Sequence, residues 1–199
     1  RPITCIIGGS KVSTKIDIIK NLIPRFNNII IVGGMANNII KYMGNHIGKS
    51  LQEENSDTIL KEMFSLSDTQ NCRIIYPEDI VVGNNLNGSP KIKELSEISS
   101  DEMILDIGPK TIEIINNIID ESKTILWNGP AGYFENPNFA NGSIKIAKKI
   151  IENSKSNRID SVAGGGDTVA LIKSLEAVSE WNFVWTAGGA FLKYLEGKE

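Results

Sequence analysis

The sequence predicts an α/β protein: a three-layer α/β/α domain around a mostly parallel sheet of about six strands. Three observations carry that expectation. Short apolar runs of strand length recur along the chain, and most end in glycine. Helical spacing of apolar residues follows most of them. The alternation of strand, glycine turn and helix repeats through the whole length, which is the pattern of parallel α/β sheets.

The elements follow in order. Ile3 to Ile7 is a buried strand ended by Gly8 and Gly9. Ser10 can cap the next helix, which carries Ile16, Ile19 and Ile23 on one face. Ile29 to Val32 repeats the unit, with Gly33 and Gly34 before a helix from about Met35 to Tyr42. A third helix covers about Ser56 to Leu66, with Ile59, Leu60, Met63 and Phe64 facing inward. Arg73 to Tyr76 is a strand stopped by Pro77, and Ile80 to Val82 is a shorter one. Gly83 to Lys91, rich in Asn and Gly, reads as a surface loop. Glu102 to Ile107 is strand-like, and Pro109 suits the first position of a helix running to about Ser122. Thr124 to Trp127 ends in the turn Asn128-Gly129-Pro130. Ile144 to Ile151 is helical, Ile159 to Ala163 a strand, and Trp181 to Trp185 a last strand before a helix from Ala190 to Leu195. Right-handed crossovers in such a Rossmann-like sheet bring the glycine turns after Ile7, Val32, Trp127, Ala163 and Thr186 to one edge. Ligands bind along that edge, where the strand order reverses.

Composition narrows the class. At 199 residues the chain is long enough for one domain with a sizeable core. A net charge of −3 counts against a general nucleic-acid binder. Two cysteines, Cys5 and Cys72, are too few for a disulfide framework and read as reduced thiols in a cytoplasmic protein. No apolar run approaches membrane-spanning length. The opening Arg-Pro and the closing Glu-Gly-Lys-Glu read as cut ends, so one domain of a longer protein is expected.

Two stretches carry candidate chemistry. In Ser161 to Ala170 (SVAGGGDTVA), a strand runs through Gly164, Gly165 and Gly166 into a helix opened by Asp167 and Thr168. The unpartnered N–H groups and the dipole of a helix start suit a phosphate. Asp167 would repel that anion unless a cation lies between them, and nucleotide-borne Mg²⁺ meets the need. A glycine turn with an Asp cap fits this stretch equally well. Lys11 and Lys15 share a face at a helix N-terminus, against both the dipole and each other. An anion reverses both penalties. Solvation of both ammonium groups is the other reading. A G-x-G-x-x-G fingerprint with a trailing acid is absent, which counts against a Rossmann-type oxidoreductase, a reading that a nicotinamide versus adenine-nucleotide binding test separates, and no Walker A lysine with its Ser/Thr is present.

Trp127, Trp181 and Trp185 read as packing residues. Asp106 and Asp160 read as turn or cap residues, and Lys148-Lys149 as a solvated helix face. The single histidine, His46, reads as a plain surface residue in a polar loop.

Gly8-Gly9-Ser10-Lys11-Val12-Ser13-Thr14-Lys15, Gly33-Gly34-Met35-Ala36-Asn37, Trp127-Asn128-Gly129-Pro130 through Phe134-Glu135, and Gly164-Gly165-Gly166-Asp167-Thr168 together resemble phosphoglycerate kinase. The resemblance is to its carboxyl-terminal, nucleotide-binding domain and runs from Arg1 to Glu199, through the closing Ala190-Phe191-Leu192 and Leu195-Glu196-Gly197-Lys198.

It implies a single nucleotide-binding domain over 1–199, half of a two-domain kinase whose amino-terminal substrate domain is not in this chain. The implied reaction is glycolytic, reversible and Mg²⁺-dependent. It passes a phosphoryl group between 1,3-bisphosphoglycerate and ADP, giving 3-phosphoglycerate and ATP. By resemblance, Lys11 and Lys15 contact the nucleotide phosphates and the phosphoryl group in flight, and Gly188 and Gly189 meet that group at a helix start. Asn128 and Pro130 line the nucleotide site, and Glu135 holds the ribose hydroxyls. Gly33, Gly34 and Leu105 border the adenine. Gly164, Gly165 and Gly166 belong to the phosphate turn, where Gly165 and Gly166 let the backbone approach. Asp167 holds Mg²⁺, and Thr168 holds a nucleotide phosphate.

A cytoplasmic monomer without nucleic-acid or membrane partners is expected, with the phosphoglycerate held mainly by the other domain. Two departures stand out. The family has three glycines after Thr186 where this chain has Ala187-Gly188-Gly189, and Trp185 stands where a small polar residue is usual. They leave a non-catalytic nucleotide-binding module of the same fold as the alternative.

Overall fold

The structure, a computed structural model, describes residues 1–9, 12–175 and 183–185; side chains are described for these except 12–14, 16, 17 and 183–185. Ser10, Lys11, Trp181, Ala187, Gly188, Gly189 and the expected last helix therefore lie outside the described residues, as does the side chain of Trp185.

The chain begins with strand β1 (Ile3–Ile7), helix α1 (Val12–Leu22), β2 (Asn28–Ile31), α2 (Gly34–Tyr42), α3 (Asp57–Thr69) and β3 (Arg73–Ile75). It continues with β4 (Asp79–Gly83), β5 (Lys91–Glu94), β6 (Met103–Ile107) and α4 (Pro109–Glu121). Then come β7 (Thr124–Asn128), α5 (Asn141–Lys155), β8 (Asp160–Gly164), α6 (Gly166–Ser174) and β9 (Phe183–Trp185).

Six strands form one parallel sheet in the order β3-β2-β1-β7-β8-β9. From β1 the chain winds outward through β2 and β3. It then returns to the other side of β1 as β7 and winds outward again. The order therefore reverses between β1 and β7, where crossover connections leave a crevice above the strand ends.

Both faces of this sheet are covered, and for that reason its strands read as continuous apolar runs instead of alternating ones. Ile6, Ile30, Ile125, Trp127 and Ala163 face a layer that includes Ile115 of α4, Ile146 of α5 and Leu171 of α6. Cys5, Ile7, Ile29, Ile31 and Leu126 face the opposite layer, with Ile19 of α1, Met35 of α2 and Met63 of α3. Successive residues along each strand thus feed opposite cores, as the pleat requires.

The expected three-layer α/β/α arrangement is present, with one addition. β4, β5 and β6 form a separate antiparallel sheet, ordered β5-β4-β6, inserted between β3 and α4. The expected loop over Gly83 to Lys91 ends where β5 begins; the short charged run Lys91–Glu94 carries no apolar alternation to announce a strand. Gly48, at φ 56°, packs where an added Cβ would lie 2.2 Å from the carbonyl oxygen of Glu102, so the turn after α2 fits closely against the approach to β6.

Trp127 is fully buried, in accord with a packing role. His46 is exposed. Lys149 is not simply solvated: its ammonium lies 3.0 Å from the Asp120 carboxylate of α4. Cys5 and Cys72 are both free and buried, and burial pushes the Cys72 thiol up to about 11 and Cys5 higher still. Among the described residues no helix is long and apolar enough to cross a membrane.

Candidate functional site

The glycine turns after β1 and β7 meet at the switch point. The Gly8 amide donates to the carbonyl oxygen of Asn128 at 2.8 Å. A Cβ on Gly8 would lie 2.3 Å from the Pro130 carbonyl oxygen, and one on Gly129 2.5 Å from the Gly8 carbonyl carbon. No side chain fits between these two backbones, which accounts for glycine on both sides of the crevice. The turn after β2 joins them: Gly33 has φ 69°, and its Cβ would lie 2.9 Å from Pro130 O. The Met35 amide of α2 donates to Gly9 O.

Lys15, one turn into α1, reaches into this junction. Its ammonium donates to Gly8 O and, at 3.2 Å, to Asn128 Oδ1. Lys15 is partly buried and held; it does not bend into solvent as the alternative reading required. Burial pulls its pKa below the ordinary lysine value, against opposing pushes from Cys5 and Asp167. The Cys5 thiol is itself driven far up by burial and stays protonated near neutrality. Asp167 is therefore the anion that acts on Lys15 at working pH.

Asn128 links Lys15 to the fourth turn, after β8. It pairs in register with Gly164 at the end of β8. A Cβ on Gly165 would meet Asn128 Nδ2 at 2.9 Å. Gly165 is the N-cap of α6, with φ 94° and no side-chain cap. The Thr168 hydroxyl, fully buried, accepts from the Gly129 amide at 2.7 Å and so ties the first turn of α6 to the β7 turn. That oxygen already serves the fold; its own proton remains available to an acceptor. Nothing lies within 4 Å of a Cβ built on Gly166, so the space in front of this helix start is open. Asp167 is exposed in the same turn.

Beside this junction lies a cleft of about 400 Å³. Gly9, Gly33, Gly34 and Pro130 of the glycine turns line it, together with the carboxylate residues Glu135 and Asp167. The inserted sheet contributes Ile80, Met103 and Leu105 to the same lining. The second sheet thus adds apolar residues to a cleft it shares with the glycine turns, and it brings Leu105 to the site.

Of the expected site residues, Gly33, Gly34, Leu105, Pro130, Glu135 and Asp167 line the cleft. Lys15, Asn128, Gly165 and Thr168 form the bonded cluster at its end, with Gly164 and Gly166 in the same turn. Lys11, Gly188 and Gly189 lie outside the described residues. Asn37, quoted in the motif after Gly33 but given no role there, also lines the cleft, as do Leu51, Leu86 and Tyr133, which were not singled out in the sequence. The last three come from connections far apart in the chain, so no local motif groups them.

Asp106 borders the cleft as well, almost wholly buried. Its carboxylate accepts from the amides of Ile107 at 2.8 Å and Gly142 at 2.9 Å. It thereby caps the start of α5, as a cap reading anticipates. Burial pushes its pKa up to about 7, although both hydrogen bonds oppose the shift.

The donor set bears on a metal. Among the described residues no cluster of three or more His, Cys, Asp or Glu side chains could hold an ion. One exposed carboxylate facing a phosphate-type site fits Mg²⁺, which keeps several waters and takes one or two carboxylates alongside substrate phosphates.

Fold and site together define the class: a Rossmann-like α/β domain with an anion-suited crevice at its topological switch point. A family model described as phosphoglycerate kinase matches residues 1–198, and the chain belongs to that family. It is 40% identical over 200 residues to the phosphoglycerate kinase of Zymomonas mobilis and 41% identical to that of Allorhizobium ampelinum. Each alignment covers all of this chain and 50% of the relative, so the chain spans about half the length of these relatives. Among solved structures, phosphoglycerate kinase from Coxiella burnetii superposes with a TM-score of 0.93 at 34% identity, over all of this chain and 51% of that one. The enzyme from Pyrococcus horikoshii gives 0.79 at 25% identity, over all of this chain and 50% of that one.

Proposed function

We propose that this chain is the nucleotide-binding half of a two-domain phosphoglycerate kinase and supplies its Mg-ADP/ATP site. The observation that carries the reading is the cluster of Lys15, Asn128, Gly165 and Thr168 at the switch point, with an open helix start on one side and an apolar cleft on the other. The base and ribose occupy the cleft between Leu105 and the glycine turns, with Glu135 at the ribose. The phosphates lie toward Lys15 and the amides opening α6. Magnesium, bound with the nucleotide at Asp167, neutralises phosphate charge.

Phosphoryl transfer asks the protein mainly for in-line positioning and for positive charge or N–H donors around the equatorial oxygens. An anionic oxygen of the ADP β-phosphate bonds to the phosphorus of the acyl phosphate, and the acyl oxygen leaves with its electron pair as a carboxylate. No proton has to move, which agrees with a site built from a lysine and backbone amides. Lys15 meets the requirement without reorganisation, because Gly8 O and Asn128 already hold its ammonium in place. Lys11, Gly188 and Gly189 are proposed to complete the charge around the group in transfer.

The second substrate, 1,3-bisphosphoglycerate, needs an anion site of its own. The chain's four arginines, Arg1, Arg25, Arg73 and Arg158, are far apart in sequence and form no such motif. The expectation is therefore binding without turnover. Calorimetry with Mg-ADP, run beside a coupled kinase assay on this chain, tests both parts. Saturable binding with no turnover is the expected result. Full turnover by the chain alone refutes the division of labour, and absence of Mg-ADP binding refutes the site.

A further inference from the structure

An asparagine followed by glycine is the place where a protein backbone most readily attacks one of its own side chains. Glycine has no Cβ to shield its amide nitrogen or to restrict the turn that brings it to the carboxamide. The sequence holds three such pairs, Asn87-Gly88, Asn128-Gly129 and Asn141-Gly142. The fold treats them differently.

Asn128 is 4% exposed and lies inside the parallel sheet, in register with Ile7 on one side and Gly164 on the other. Its carboxamide holds the Lys15 ammonium, and the Gly129 amide donates to Thr168 Oγ1 at 2.7 Å. Asn141 is the first residue of α5. The next amide, that of buried Gly142, donates to Asp106 Oδ2 at 2.9 Å. A Cβ on Gly142 would lie 2.4 Å from Asp106 Oδ1, so this turn has little room to reshape. In both pairs the nitrogen that would attack is engaged within the fold.

Asn87 is exposed, in the connection between β4 and β5. Its backbone amide donates to Asn85 Oδ1 at 2.9 Å, but no hydrogen bond to a described residue fixes its carboxamide. The Gly88 amide donates to Asn85 O at 3.0 Å. That is one neutral turn bond in a surface loop, where local opening costs little free energy.

We infer that Asn87-Gly88 is a site of self-modification: the folded chain converts Asn87 to aspartate and isoaspartate without an enzyme, while the other two pairs stay protected. The Gly88 nitrogen bonds to Asn87 Cγ and gives up its proton. The bond from Cγ to the amino group breaks, and ammonia leaves with that proton. The succinimide ring so formed takes up a water molecule. Opening at the side-chain carbonyl yields aspartate. Opening at the main-chain carbonyl yields isoaspartate, with the backbone running through the former side chain. No oxidant or reductant takes part.

The product falls beside the cleft. Leu86, the preceding residue, lines it, and the Leu86 carbonyl oxygen accepts from Asn136 Nδ2 at 2.8 Å. Conversion puts a new carboxylate next to that residue, and isoaspartate also lengthens the backbone there. An exposed isoaspartyl residue is in turn the substrate class of carboxyl methyltransferases that use S-adenosylmethionine. None of this depends on what the cleft binds.

The test incubates the folded chain at mildly alkaline pH, beside a sample unfolded in guanidinium chloride, and maps the peptides of each by mass spectrometry. Isoaspartate is scored by methyl transfer from S-adenosylmethionine with a protein isoaspartyl methyltransferase. In the folded chain Asn87 is expected to convert about 10–100-fold faster than Asn141, the scale of the charge-assisted hydrogen bond that holds the Gly142 amide. Asn128 should stay intact. In guanidinium the three pairs should react at comparable rates, which shows that the fold selects among them. Asn87→Gln, whose extra methylene disfavours ring closure, should lose the product with no change in Tm. Comparable rates at the three pairs in the folded chain overturn the inference. So does an Asn87 that converts only when the chain is unfolded, or isoaspartate formed undiminished in Asn87→Gln.

Discussion

Lys15 is held before any ligand arrives. Its ammonium sits between Gly8 O and Asn128 Oδ1, and burial lowers its pKa. A polyphosphate would give it the counter-charge that, among the described residues, Asp167 otherwise supplies. Charge-assisted hydrogen bonds of this kind contribute about 1.5–3 kcal/mol. Lys15→Met is therefore expected to weaken Mg-ADP binding by about 10–100-fold, read by calorimetry. The native affinity should also fall as pH rises through the lowered lysine pKa, and that fall should vanish in the variant. Asp106 supplies a second pH effect, with the opposite origin. Its native pKa of about 7 lies above the ordinary 3.8, so the folded state holds this proton more tightly than the unfolded one. By linkage, the stability it contributes is present below about pH 4 and is lost as pH rises through about 7, on the order of a few kcal/mol in all. Asp106→Asn should flatten urea-unfolding stability between about pH 4.5 and 7.5; equal slopes in both proteins would remove Asp106 as the source. Lys15 was legible as a residue out of place, a cation at a helix N-terminus. The bridging part played by Asn128 was not, because it depends on β1 and β7 being neighbours across more than a hundred residues of chain.

At the level of elements, the glycine turns divide into two kinds that the sequence does not distinguish. Gly8 and Gly129 are required by packing, because each faces the other's backbone at less than 3 Å from any added Cβ. Gly8→Ala should cost about 1–3 kcal/mol through overpacking and lower the Tm by several degrees. Gly166 faces open space. As the first residue of α6 it can become alanine at no steric cost to the fold, and helix propensity even favours the change. Gly166→Ala should therefore keep or raise the Tm while weakening Mg-ADP binding, because the methyl group stands where a phosphate must approach the helix start. A matched loss of stability in both variants would mean that all these glycines serve folding alone. The strands and helices of the main sheet were legible because their apolar runs and glycine stops repeat with one period. β5 was not, since a four-residue charged strand at a sheet edge differs little from a polar loop.

Across the whole molecule, the strand order explains why the site lies where it does. β1 and β7 part the sheet into two halves that wind in opposite directions, and the crevice between their carboxyl ends receives the glycine turns after β1, β2, β7 and β8. The inserted antiparallel sheet then stands over that crevice and turns an open edge into a cleft with an apolar wall. Parallel α/β architecture followed from the repeated pattern alone. The separate sheet did not, because Ile80 to Val82 and Glu102 to Ile107 look like any other short strands until their pairing is known. The proposed function depends on a magnesium-bound nucleoside diphosphate bridging the cleft and the start of α6. A crystal structure of the chain with Mg-ADP tests it most directly. The account predicts the base against Leu105 and Leu51, the phosphates at the amides of Gly166 to Thr168, and the Lys15 ammonium in contact with a phosphate oxygen. A nucleotide bound elsewhere, or Lys15 still engaged only with Gly8 and Asn128 while the phosphates lie away from α6, would contradict it.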